Sequence, residues 1–228
     1  GTTTDSNTPA QLGTDNTWVA IATGGGHSTA IKNNGALWAW GWNTAGQVGD
    51  GTNINKTTPV QIGSDLNWSK IDGGDFHTLA VKTNGTLWAW GSNSSGELGN
   101  GTWTSVNQPQ QTGVQTNWLQ DTATSNTSGA ISTATVGNLW LWGRNGLGQV
   151  GNGTNTDINT PFQINCSSVL PVTWLYINGR LQNNTAIIEW STASESNSSH
   201  FEIEHSSNAS SFIKAGMKNA AGNSSSTT

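Results

Sequence analysis

One unit recurs along this chain, and it limits the fold more than any other feature. Trp18, Trp68 and Trp118 stand 50 residues apart, and so do His27 and His77. Trp38 and Trp40 return as Trp88 and Trp90, then as Trp140 and Trp142 after an insertion of two residues. Pro9, Pro59 and Pro109 keep the period, and Pro161 keeps it with the same offset. The insertion therefore falls between Ile131 and Gly137, in "STATV". A period of this length places one supersecondary unit in each repeat, as in propellers.

Each unit reads as four short strands. In the first they are "WVAIA" (Trp18–Ala22), "HSTAIK" (His27–Lys32), "ALWAW" (Ala36–Trp40) and "PVQIG" (Pro59–Gly63). Asn34-Gly35 before the third strand is a tight-turn signal. The third strand is apolar at every position, with Leu37 and Ala39 facing one way and Trp38 and Trp40 the other. A strand apolar on both faces is buried on both, which is the environment of a sheet sandwiched between neighbouring blades. Gly41, Gly46, Gly49 and Gly51 follow it and recur in both later repeats. They mark a chain that turns sharply in a crowded layer.

Composition narrows the function. Charged residues are 9% of the chain and the net charge is −5. Nucleic acid binding draws on clustered Lys and Arg, and so does binding to anionic membranes; neither partner is expected. Thirteen tryptophans supply the apolar mass that disordered chains lack. Cys166 is the single cysteine, which excludes an internal disulfide and a cysteine-based metal site. No window approaches the roughly 18 apolar residues of a membrane-spanning helix, so no membrane insertion is expected. No signal peptide is visible.

The repeats resemble the regulator of chromosome condensation (RCC-type) repeat family. The matching residues are "W-x-x-I-x-x-G-x-x-H" (Trp18–His27, Trp68–His77), "L-W-x-W-G-x-N" (Leu37–Asn43, Leu87–Asn93) and "G-x-x-G-x-G-T" (Gly46–Thr52, Gly96–Thr102). The third repeat keeps "LWLWGRN" and "GQVGNGT", but Thr127 replaces the histidine and Thr124 the glycine of Gly24 and Gly74. The resemblance covers residues 1–165 and implies a β-propeller, seven-bladed in most of the family. Residues 1–17 match only the end of a repeat, and 18–67, 68–117 and 118–165 are the three units. The expected fold is all-β: a partial propeller of three four-stranded blades plus part of a fourth, then an incomplete sandwich-like segment. Further blades are expected before residue 1.

From Leu170 the period stops and strand alternation continues without blade motifs. The pattern "LPV…L.W.T.SE.N…F.IE.S…F" resembles the fibronectin type III-like domain of secreted Bacteroidetes proteins, often found ahead of a type IX secretion sorting domain. Residues 166–171 read as a linker and 172–228 as a truncated domain, since a whole sandwich takes about 100 residues. This resemblance implies an extracellular or bacterial cell-surface location.

A search for chemistry returns no catalytic, cofactor or metal constellation. His27 and His77 fill one slot in successive repeats, as expected of a histidine that ties its blade together by hydrogen bonds. "GDGTN" (Gly49–Asn53) has one carboxylate, Asp50, where calcium takes about 6–8 oxygen ligands; a structural turn is expected. His200, Glu202 and Glu204 alternate as on a solvated strand face. The positions that vary between repeats speak more of function. After "LWxWG" stand Trp42, Ser92 and Arg144; after "GxGT", Asn53, Trp103 and Asn155; before the histidine slot, Gly26, Phe76 and Asn126. Trp42, Trp103, Phe76 and Arg144 are the candidate partner-binding residues, because loop Trp and Arg are favoured anchors. The expected function is non-enzymatic: a secreted or surface propeller that binds a protein or glycan. Two alternatives stay open: a regulatory propeller acting on another protein, as an exchange factor or enzyme inhibitor, and a structural spacer.

Overall fold

The computed structural model describes residues 1–133 and 138–164, and the backbone of 172–182, 185–195, 200–205 and 213–219. The repeat becomes three antiparallel four-stranded sheets, each a meander in chain order. Blade 1 holds β1 (Trp18–Thr23), β2 (His27–Lys32), β3 (Leu37–Gly41) and β4 (Lys56–Gln61). Blade 2 holds β5 (Trp68–Gly73), β6 (His77–Lys82), β7 (Leu87–Gly91) and β8 (Val106–Gln111). Blade 3 holds β9 (Trp118–Thr124), β10 (Thr127–Ser132), β11 (Asn138–Gly143) and β12 (Ile158–Ile164). Residues 1–17 form no strand, so the expected part of a fourth blade is a strandless segment. It is fastened to blade 1 by an ion pair of 2.6 Å between Asp15 and Lys32.

The fourth strand departs from expectation. It was expected at Pro59–Gly63 and runs over Lys56–Gln61. Gly41 pairs with Lys56 as well as with His27, which draws three more residues into the ladder. Pro59, Pro109 and Pro161 lie inside β4, β8 and β12. Each of these is the outermost strand of its sheet, where a missing N–H leaves no ladder bond unmade. The two-residue insertion falls between β10 and β11: Ile31 pairs with Leu37 and Val81 with Leu87, but Ile131 pairs with Leu139.

The core lies at the seams between blades. Leu37, Ala39, Ile31 and Val48 of blade 1 form one apolar cluster with Trp68, Ala80 and Trp90 of blade 2. Leu87, Ala89, Val81 and Leu98 of blade 2 repeat it with Trp118, Ala130 and Trp142 of blade 3. The alternation read in "LWAW" thus becomes a joint: an aliphatic face of one blade receives the indole face of the next. Burial on both faces holds for β7, where Leu87 and Trp90 are both at 0% exposure. Trp40, on the indole face of blade 1, is half-buried, and so is Trp18.

Gly49 shows why this layer needs glycine. Its φ is +85°, and a methyl group there would come within 2.5 Å of the Trp90 indole nitrogen of the next blade. Both the left-handed backbone and the contact exclude a side chain.

The chain divides into two compact units, Gly1–Asn165 and Cys166–Thr228. Among the described residues the second contains two antiparallel pairs. β13 (Val172–Gln182) pairs with β14 (Thr185–Glu195), and β15 (His200–His205) with β16 (Ile213–Asn219). The side chains of His200, Glu202 and Glu204 and the segment 134–137 lie outside the described residues.

Candidate interaction face

Strand register gathers the variable loops at one end of each blade. His27, Gly41 and Lys56 are neighbours across β2, β3 and β4. The β1–β2 loop and the long β3–β4 loop therefore leave from the same end. Within each blade the backbone N–H of the residue after "LWxWG" donates to the loop before the histidine slot: Trp42 to Gly26, Ser92 to Phe76 and Arg144 to Asn126, at 2.7–2.8 Å. Two of the variable slots are thus adjacent by construction.

Trp42 and Phe76 meet across the seam between blades 1 and 2. Their rings lie edge to face with centroids 5.2 Å apart, a favoured aromatic geometry. Trp42 lies over Gly26, where a methyl group would sit 2.8 Å from its ring. Gly26 in the first repeat is thus the residue that lets Trp42 lie flat. Trp42 remains 43% exposed. Arg144 is exposed at the corresponding position of blade 3. Trp103 is 51% exposed in the β7–β8 loop and makes no ring contact with the pair among the described residues.

The histidines do more than the sequence suggested. His27 does not tie its own blade; its Nε2 lies 2.8 Å from the Thr78 hydroxyl of the next one. His77 repeats this with Ser128 at 2.9 Å. Thr78 donates its single proton to the Gln47 carbonyl and Ser128 to that of Glu97, so each histidine donates through Nε2. The same two carbonyls accept from Trp90 and Trp142 Nε1. Burial lowers the pKa of His27 to about 4 and of His77 to about 3, and both rings stay neutral. Gly74 lies against the His77 ring, and any side chain there would overlap it. The third repeat loses ring and glycine together, as Thr127 and Thr124.

The "GDGTN" turn is structural, as expected. Asn43 is its hub: Nδ2 donates to Asp50 and to the Thr52 and Ile54 carbonyls, and Oδ1 accepts from Val48 N–H. Asp50 pairs with Lys56 at 2.6 Å and caps Thr52. Among the described residues no three acidic, His or Cys side chains converge as metal ligands.

Two features lie outside the repeat motifs. Lys82 lies over Trp68 and Trp88, 4.5 and 3.8 Å from their ring centroids, and pairs with Asp65 at 2.6 Å. Lys32 does the same with Trp18, Trp38 and Asp15. In the third repeat both partners change, to Ser132 and Gln115, and Trp140 Nε1 donates to Ser132 instead. Comparing repeats at positions 32, 82 and 132 would have revealed the pairing. The second feature is Asp121, 6% exposed, in the slot of Ile21 and Ile71. Its Oδ2 has no partner among the described residues. Burial, with the charge of Asp72 nearby, raises its pKa to about 7.

Known structures share this architecture. The chain matches Prp20p from Saccharomyces cerevisiae, described with its binding to Gsp1p and histones, at 22% identity and a TM-score of 0.60. That match covers 71% of this chain and 41% of Prp20p. Yeast RCC1 (Prp20) bound to Kap60 matches at 20% identity and a TM-score of 0.59, covering 76% and 42%. Human WBSCR16 matches at 22% and 0.57, covering 75% and 47%. The chain thus spans less than half the length of each. No curated protein matches the sequence. A model of the regulator of chromosome condensation (RCC1) repeat matches residues 34–81, 84–127 and 136–175, and a second model of the repeat matches 18–47 and 68–97. With the recurring motifs now placed in three stacked blades, those matches settle the classification: the chain belongs to the regulator of chromosome condensation (RCC1) repeat family.

Proposed function

We propose that this chain is a non-enzymatic binding arc that recognises a protein through the loop end of its blades. The observation that carries the reading is the Trp42–Phe76 pair. Two residues that break the repeat pattern meet across a seam and leave a large indole surface open. Buried positions repeat because they build joints; these two break the repeat, and Trp42 stays 43% exposed at the seam they share. Prp20p, with a similar fold, is described as binding Gsp1p and histones, and yeast RCC1 as bound to Kap60. Basic histones and this chain's net charge of −5 have complementary signs, but the fold supports protein binding in general and no one partner. A secreted or cell-surface setting is part of the proposal, supported by the motif pattern after Leu170.

The test is affinity capture with the full chain and its Trp42→Ala and Arg144→Ala variants in parallel. A protein retained by the parent and lost from both variants supports the reading. Capture that is indifferent to both substitutions refutes it. Nucleotide release from a small GTPase would replace it with the regulatory alternative.

A further inference from the structure

We propose that the outer rim of the blades binds a neutral saccharide chain, with amides at the first seam and aromatic rings at the second. This adds a ligand to the reading above and uses different residues. A groove of about 480 Å³ runs between the β3–β4 loop of blade 1 and the outermost strand of blade 2. Asn53, Asn107, Gln108 and Gln110 line it with Ser105 and Pro109, and no ionisable side chain takes part.

The groove is built rather than incidental. Asn107 Nδ2 donates to Asn53 Oδ1 at 3.0 Å and to the Gly51 carbonyl at 3.1 Å, and Asn53 Nδ2 donates to the Thr44 carbonyl. Those two amides are fixed. Gln110 accepts from Asn100 through Oε1, which leaves its NH2 group free. Gln108 is exposed, and its side chain makes no hydrogen bond among the described residues. Free amides over a neutral floor suit a ligand with many hydroxyl groups and no charge.

The next seam has the same backbone and different side chains. Gly46 packs on Asn107 and Gly96 on Asn159, so residues of the two seams correspond one to one. By that correspondence Trp103 takes the place of Asn53, and Phe162 that of Gln110. Both rings are open, at 51% and 40% exposure. Asp157 takes the place of Ser105, and its Oδ1 accepts from Asn145 N–H. A carboxylate at this seam repels acidic sugars and tolerates neutral ones. Flat apolar faces of pyranose rings stack on aromatic rings, while their hydroxyls take amides. Adjacent seams offer one kind of contact each.

An extended peptide is the competing occupant, and the edge strands oppose it. A peptide would add a strand to β8 or β12 through backbone bonds. Pro109 and Pro161 interrupt that edge at the same position. A saccharide needs no ladder.

The experiment is native electrophoresis of the full chain in gels containing mixed-linkage β-glucan, xylan, galactomannan or dextran, with polygalacturonate as the acidic control. Expected is retardation by at least one neutral polymer and none by polygalacturonate. Trp103→Ala weakens the retardation roughly tenfold, as for loss of a central Trp anchor. Gln108→Ala and Phe162→Ala weaken it less, with unchanged melting midpoints, and Trp42→Ala leaves it intact. Mobility unaffected by all four neutral polymers overturns the proposal. So does retardation by polygalacturonate alone, or retardation that survives all three rim substitutions. The protein-binding reading is untouched by any of these, since its variants lie elsewhere.

Discussion

Repeats one and two differ from repeat three in sets of residues rather than singly. The first two pair a glycine with a histidine ring, and a tryptophan-caged lysine with an aspartate. The third drops both members of each pair, for Thr124 with Thr127 and for Ser132 with Gln115. Each set is one interaction, and half of it is worse than none. A ring without its glycine overlaps a side chain, and a buried lysine without its carboxylate is an uncompensated charge. Coupled replacement is what neighbours in contact demand.

The largest effect on stability is expected from Gly74→Ala. The new methyl group meets the His77 ring, and the cost is expected at about 3 kcal/mol or more from overpacking. Adding His77→Thr removes the ring, so the double variant is more stable than Gly74→Ala alone. Urea unfolding of the four proteins closes the cycle, and additive effects would refute the coupling.

Asp121 gives the next effect, and it depends on pH. Its folded pKa is raised to about 7 from an ordinary 3.8. The unfolded chain therefore releases this proton first, and the stability is full below about pH 4 and declines as pH rises through 7. Asp72 and Lys70 are the charges acting on it, the first raising and the second lowering its pKa. Asp121→Asn is expected to gain a few kcal/mol over the parent at pH 8 and almost nothing at pH 4. The histidines act in the opposite sense. Their folded pKa values lie below the ordinary 6.5, so the unfolded chain takes up protons first and stability falls as pH drops below that. Thermal melts from pH 3 to 9 should show both limbs, and His77→Gln should flatten only the acid one.

Lys82→Ser comes third. It breaks an ion pair and two cation–π contacts at a 6%-exposed site, for an expected loss of about 1.5 kcal/mol. Asp65→Gln in the same chain costs little more, because its partner is already gone. The smallest effect on stability is expected from Trp42→Ala, within about 1 kcal/mol, measured beside the capture experiment where its effect is large.

Most of the blade architecture was legible in the sequence, because a joint that recurs leaves a recurring mark. The Leu-Trp-x-Trp strand and the glycines that follow it each serve one geometric demand, met in every unit, while the Asn-Gly turn stands in the first two units and gives way to Val136-Gly137 in the third. What stayed hidden involves residues far apart in the chain. That Gln47 accepts through its backbone from Thr78 and Trp90 cannot be read from side chains, and the side chain there changes to Glu97 without loss. Pro59 reads in the sequence as the beginning of the fourth strand, whereas an outermost strand accommodates proline within it. Of the candidate site, variation picked out Trp42 and Phe76 separately. Only the seam brought them together and left Trp103 on the rim.

The joint between an aliphatic face and an indole face has a consequence for how such molecules grow. Its two sides are unlike, so it has a direction. A duplicated unit inserted at any seam presents the correct face to each neighbour without a single new substitution. Lengthening by whole units is therefore open from the moment one joint exists, and two blades set face to like face would gain nothing from it.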